Sequence, residues 1–175
     1  MRAAGTAYVN LVRNTPLTLI MVFCVLGLPI LRITFTEAVG TQYRIYAILA
    51  LVAYTSCFVC EAIRSGINTV PVGQAEAARA IGLTFGQSLR EVVLPQAFRT
   101  VVPPLGNVWI AMVKNTSIAA GFAVTELTAS LARLANANGG EILLVLLAVV
   151  AGYMLITLPS AYLIGRVERR VAILR

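Results

Sequence analysis

Four apolar runs, at residues 15–33, 45–63, 101–124 and 142–164, leave this chain few ways to fold. Each comes close to the roughly 20 residues a helix needs to cross the hydrocarbon core of a bilayer. Inside lipid, backbone N–H and C=O groups find partners only within a helix or a closed barrel, and long runs without strict alternation predict helices. Composition agrees: 59% of the 175 residues are hydrophobic and 12% are charged, with a mean hydropathy of +0.86. A soluble domain is about half apolar, with roughly a quarter of its residues charged. The expected fold class is therefore all-α, a polytopic integral membrane helical bundle with four visible spans in contact with membrane lipid. The first run is shortened by Pro16 and Pro29. As a signal peptide it would be long for an apolar core, and the chain remains polytopic after it.

Charge sets the orientation. Lysine and arginine number 14 against 7 acidic residues, with no Asp and no His. In a membrane protein such a surplus reports topology rather than nucleic-acid binding. Counted from a cytoplasmic start, Arg2, Arg13, Arg64, Arg79, Arg90, Arg99, Arg166, Arg169, Arg170 and Arg175 fall inside, and Arg32, Arg44 and Arg133 outside. This distribution places the C-terminus and the interval between the second and third spans in the cytoplasm. Residues 34–44 form an outer loop, and residues 126–141 a second loop or short surface helix ending in Asn136-Ala137-Asn138-Gly139-Gly140. Cys24, Cys57 and Cys60 lie in apolar runs. Cys57 and Cys60 have C-x-x-C spacing without a soluble redox context, and packed reduced thiols are expected.

The cytoplasmic interval is the polar centre of the chain. Residues 74–81 are rich in helix formers and carry Glu76, placed by this reading in the first turn where the helix dipole favours a carboxylate. Gly82 stands where a C′ glycine belongs. Thr84 and Gln87 have capping-box spacing, and Phe85, Leu89, Val92 and Val93 continue as an amphipathic helix expected to end at Leu94 and Pro95. Residues 74–95 thus predict a cytoplasmic helical hairpin. Ala77, Ala78 and Ala80 give its first helix a thin face that a partner could approach closely. The other reading is an amphipathic loop lying on the lipid surface.

Glu76-Ala77-Ala78, then Gly82, Val92, Leu94 and Pro95 at their spacing, resemble the EAA loop of ABC importer permeases. Arg13-Asn14-Thr15-Pro16-Leu17, Ser65 to Pro71, Gly73-Gln74-Ala75, Leu94-Pro95-Gln96-Ala97 and Lys114-Asn115-Thr116-Ser117 are similar to the polar amino acid branch of that family, most like its glutamate-type subgroup. The similarity runs from Tyr8 onward, with several separated motifs in the same order. It implies the type I importer permease fold in a single domain over residues 1–175. It also implies a second permease subunit, identical or different, two ATPase subunits and an extracytoplasmic amino acid binding protein. Glu76, Ala77, Ala78, Gly82, Leu94 and Pro95 would couple the chain to the ATPase. No Gly-rich phosphate loop with Lys-Ser or Lys-Thr occurs, so the chain is expected to be no enzyme, with ATP and Mg held by the ATPase subunits. Members of this branch carry one more span ahead of the Arg-x-Thr-Pro-Leu region. No room for it precedes Arg13, so the resemblance implies a missing upstream span and a complete fold of five.

The third apolar run is interrupted by Asn107, Lys114, Asn115, Thr116 and Ser117. At 100° per residue Asn107, Lys114 and Gly121 share a narrow face, with Ala111, Ser117 and Ile118 beside it. An ammonium group in hydrocarbon costs at least about 2.5 kcal/mol, so such groups usually face a bundle interior or a water-filled path. Two readings follow: these five polar residues line an amino acid path, or Lys114 snorkels or pairs with a carboxylate such as Glu61 and serves assembly. A membrane scaffold without transport activity and an ion-driven secondary transporter are the alternatives to an ATP-driven importer.

Overall fold

The structure, a computed structural model, describes residues 2–137 and 140–171. Asn138 and Gly139 of the expected outer loop, and Arg175 of the basic end, lie outside the described residues. Seven helices follow in order among those described: α1 (Arg2–Arg13), α2 (Leu17–Ile30), α3 (Val39–Asn68), α4 (Val72–Ala80), α5 (Phe85–Phe122), α6 (Leu127–Ala137) and α7 (Ile142–Val171). Only α3 and α7 are by themselves long and apolar enough to cross a membrane. Two bent pairs, α1 with α2 at 105° and α5 with α6 at 52°, raise the number of candidate spans to as many as four.

Boundaries differ from the apolar runs for local reasons. The 14 residues from Leu17 to Ile30 reach about 20 Å, short of a roughly 30 Å hydrocarbon core. Helix α2 stops in a Schellman turn, with Ile33 N–H donating to Leu28 O (3.0 Å) and Arg32 N–H to Pro29 O (2.9 Å). Arg32 takes the left-handed position at φ +58°, usually a glycine's. Helix α3 begins six residues before its apolar run, because Gln42 is turned inward and its Oε1 accepts Phe35 N–H (3.0 Å) and Thr36 N–H (2.9 Å). The Tyr46 hydroxyl donates to Ile33 O at 2.6 Å, so the outer loop is stapled onto the start of α3.

The expected helix end at Leu94 and Pro95 is not found: α5 runs unbroken through both. A π-helical turn, Ser88–Val93, stands immediately before them, with Leu94 N–H bonded five residues back to Leu89 O. Widening the helix just ahead of a proline moves aside the carbonyl that its ring would strike, and the proline has no N–H to leave unpaired. Helix α2 repeats the device: Phe23–Gly27 is π-helical, Leu28 N–H reaches Phe23 O, and Pro29 follows.

Helix α5 is the central post. It crosses α3 where Gly66 meets Val101 and α7 where Gly106 meets Ile164, so close that an added Cβ would lie 2.1 Å and 2.4 Å from those side chains. Small residues at helix crossings suit a membrane, where lipid removes the hydrophobic drive for association and close packing must supply it. The buried cluster between α2, α3 and the end of α5 has the same character, with Ala47, Ala50 and Ala119 around Met21, Val25 and Tyr46. Helix α1 lies against α3, the Tyr8 hydroxyl reaching Ser56 Oγ (2.7 Å) and Arg13 pairing with Glu61 (2.7 Å). Cys24 and Cys57 are buried as expected, whereas Cys60 is exposed on α3.

Candidate coupling hairpin and transport path

Helix α4 begins two residues earlier than the sequence suggests. Pro71, at φ −59° and ψ 135°, is its N-cap and accepts Gln74 N–H at 3.0 Å. Glu76 therefore falls in the second turn, and the dipole argument for it does not hold. At the other end the reading is met: Gly82 has φ +94°, its N–H donates to Arg79 O (3.0 Å), and Leu83 N–H donates to Ala78 O (3.2 Å). These two bonds make a Schellman turn that a residue with a β-carbon would strain. Thr84 and Gln87 complete the capping box, Thr84 N–H donating to Gln87 Oε1 (2.9 Å) and Gln87 N–H to Thr84 Oγ1 (3.4 Å).

The hairpin folds α4 against the π-helical turn of α5, and this sorts the three alanines. Ala78 is buried at 3% exposure, as is Ser88 on the opposing segment. Ala77 and Ala80 remain exposed together with Glu76. The thin face open to a partner is thus narrower than the sequence indicates: Ala78 closes the hairpin itself. Around the exposed face Ile81 is 81% and Phe85 74% exposed, apolar surface concentrated at the hairpin tip. Leu94 and Pro95 sit on α5 below it, exposed and inside the continuous helix.

The second group of residues lies along α5. Between α3 and α5 is a cleft of about 420 Å³ lined by Tyr54, Thr55 and Phe58 of α3 and by Asn107, Ala111 and Asn115, among others, of α5. Asn107 and Asn115 are therefore brought together two turns apart on one wall. Lys114 does not line this cleft; it is exposed about a quarter-turn from the centre of the lining stripe. Its expected alternative partner is taken, since the Glu61 carboxylate is held by Arg13 at 2.7 Å and Arg64 at 3.6 Å. Among the described residues Lys114 makes no ion pair.

The single face extrapolated to Gly121 ends at Asn115, because α5 tightens into a 3₁₀ helix over Thr116–Phe122 and its periodicity changes there. At that junction Thr116 Oγ1 donates to Val113 O and Ser117 Oγ to Lys114 O, both at 2.7 Å. Thr116 lines a separate apolar groove with Ile48, Val52 and Met112.

Tyr54, Thr55 and Phe58 did not stand out in the sequence: aromatic and hydroxyl residues within an apolar run look like packing until a facing helix is placed. Glu126 was also missed. Its carboxylate caps α6 through Thr128 N–H (2.8 Å) and Ala129 N–H (2.6 Å) and accepts the Tyr153 hydroxyl (2.9 Å), tying α6 to α7. Glutamate is uncommon at this position, so residue preference gave no signal.

This architecture has close counterparts. The chain is 44% identical to the glutamate transport system permease protein GluC of Corynebacterium glutamicum, over 99% of this chain and 78% of that protein. It is 33% identical to the glutamate/aspartate import permease protein GltJ of Escherichia coli, over 95% and 70%. Its fold superposes on a chain in the crystal structure of an amino acid ABC transporter with histidines, with a TM-score of 0.80, 30% identity, and coverage of 94% of this chain and 74% of that one. Residues 1–173 match the family described as binding-protein-dependent transport system inner membrane component, and the chain belongs to that family.

Proposed function

We propose that this chain carries a polar amino acid, glutamate foremost, across the cytoplasmic membrane, with residues 74–95 coupling it to ATP hydrolysis on partner subunits. The chain is the permease component of an ABC-type amino-acid importer and not its ATPase. In this reading residues 1–175 form one permease domain of four spans, with the hairpin and the C-terminus in the cytoplasm. It works beside a second permease subunit, two ATPase subunits that bind ATP and Mg, and an extracytoplasmic amino acid binding protein. Glutamate is favoured because two relatives similar over most of the chain are named for it.

The observation that carries the coupling role is the construction of the hairpin. Both ends of its turn are capped by paired hydrogen bonds, so α4 is held rigidly while Glu76 and Ala77 face outward. A loop resting on lipid has no need of such a turn. The path is assigned to the cleft that Asn107 and Asn115 line, with Lys114 exposed beside it and Thr116 and Ser117 following toward the outer end of the helix. Asparagine amides both donate and accept, matching a zwitterion's carboxylate and ammonium, and the Lys114 charge offsets part of the desolvation of a side-chain carboxylate.

The test is uptake of labelled glutamate into proteoliposomes holding the complete complex, with loaded binding protein outside and ATP at the ATPase subunits. Uptake that requires hydrolysable ATP supports the reading. Uptake persisting without the ATPase subunits points to an ion-driven transporter, and none with every partner present points to a scaffold.

A further inference from the structure

The coupling hairpin leaves the membrane helices through two roots, the end of α3 and the stretch of α5 just past Pro95, and the structure joins these roots at one level. Gly66 of α3 is buried against α5, where an added Cβ would stand 2.1 Å from Val101 Cγ2 and 3.0 Å from Val101 N. The two helices therefore approach closely, with the Val101 side chain seated on the bare glycine. On the Gly66 carbonyl converge the Thr69 hydroxyl at 2.6 Å and the Thr100 hydroxyl at 2.9 Å. The Thr100 hydroxyl also lies 2.9 Å from Ala97 O on its own helix and 3.0 Å from the Thr69 hydroxyl.

A hydroxyl has one proton to give. Thr100 can donate it across to Gly66 O or back to Ala97 O, at equal distances, and Thr69 can follow by donating either to Gly66 O or to Thr100. Every arrangement leaves both donors bonded. A slip of α3 along α5 at this level thus breaks a cross-helix bond without orphaning a polar group, and no β-carbon at position 66 obstructs it.

We propose that Thr100, together with Thr69 and the Gly66 carbonyl, is a positioning latch at the root of the hairpin, exchanging acceptors as the hairpin shifts against the membrane helices. The inference rests on the reading of residues 74–95 as the coupling element and assigns to residues outside that hairpin the task of passing its movement on. Thr100 touches neither the assigned path nor the exposed hairpin face.

The test compares Thr100→Val, which keeps the shape and removes the hydroxyl, with Thr100→Ser, which restores it. Each is assembled into the complete complex and assayed for basal ATPase activity and for stimulation by amino-acid-loaded binding protein. The expected result is normal assembly and basal activity in both, with Thr100→Val losing about fivefold of its stimulation, the population change that one net hydrogen bond brings, and Thr100→Ser keeping most of it. Wild-type stimulation in Thr100→Val overturns the latch and leaves the coupling reading standing. Failure of Thr100→Val to assemble overturns it in favour of a packing role. Absence of stimulation in the wild-type complex removes the coupling reading, and the latch with it.

Discussion

Replacing Gly82 by valine isolates the backbone of the hairpin turn from everything around it. A Cβ built at this residue meets nothing within 4 Å, so the substitution causes no collision, and only its φ of +94° is at issue. An L residue with a β-carbon in this region costs roughly 1–2 kcal/mol, with a β-branched residue at the upper end. That strain falls on a turn held by two hydrogen bonds, Gly82 N–H to Arg79 O and Leu83 N–H to Ala78 O. A destabilisation of about 1–2 kcal/mol lowers the population of the formed turn roughly 5- to 30-fold relative to open alternatives. The membrane helices are untouched, so Gly82→Val should reach the membrane at normal abundance while ATPase stimulation by loaded binding protein falls by a comparable factor. Gly82→Asn should be milder, because asparagine tolerates the left-handed region. Equal stimulation in wild type, Gly82→Asn and Gly82→Val would refute the argument that this φ positions α4.

Arg32 offers the opposite experiment: it occupies the left-handed position of the Schellman turn ending α2, at φ +58°, and Arg32→Gly should stabilise the purified protein by about 0.5–1 kcal/mol, seen as a higher melting temperature. For topology, with Cys24, Cys57 and Cys60 replaced by alanine, Gln87→Cys should react with an impermeant maleimide only from the cytoplasm and Glu37→Cys only from outside. Labelling of both from one side would exclude the four-span arrangement. Lys114→Met should preserve assembly and lower turnover by about tenfold or more, at least 1.4 kcal/mol of barrier, with Lys114→Arg retaining part of it. Unchanged turnover in Lys114→Met with saturating loaded binding protein would exclude a required charge in the path.

The parts legible in the sequence are those governed by local chemistry. Gly82 and the Thr84–Gln87 pair announce their turn because a positive φ and a capping box each need particular residues at fixed spacing. The continuity of α5 through Pro95 was not legible: proline ordinarily ends or kinks a helix, and the π-helical turn that accommodates it has no residue signature of its own. The placing of Ala78 inside the hairpin and Ala77 outside depends on where the π-helical turn of α5 lies, which no pattern within α4 reveals. In the cleft, Asn107 and Asn115 were legible as polar residues in an apolar run, but periodicity grouped Asn107 with Lys114 rather than with Asn115. The displacement of Lys114 from the cleft depends on where α3 lies, and the loss of the common face beyond Asn115 depends on the change to a 3₁₀ helix.

The central claim, that α4 presents the face on which an ATPase subunit docks, is tested most directly by the affinity of that subunit for the permease in nanodiscs when Ala77 becomes tryptophan. Ala77 is exposed beside Glu76, and its replacement leaves Ala78, the Gly82 turn and the capping box in place. A bulky side chain on a closely approached face should weaken docking by about tenfold or more, while leaving membrane insertion unchanged. Undiminished ATPase binding by Ala77→Trp would contradict the account.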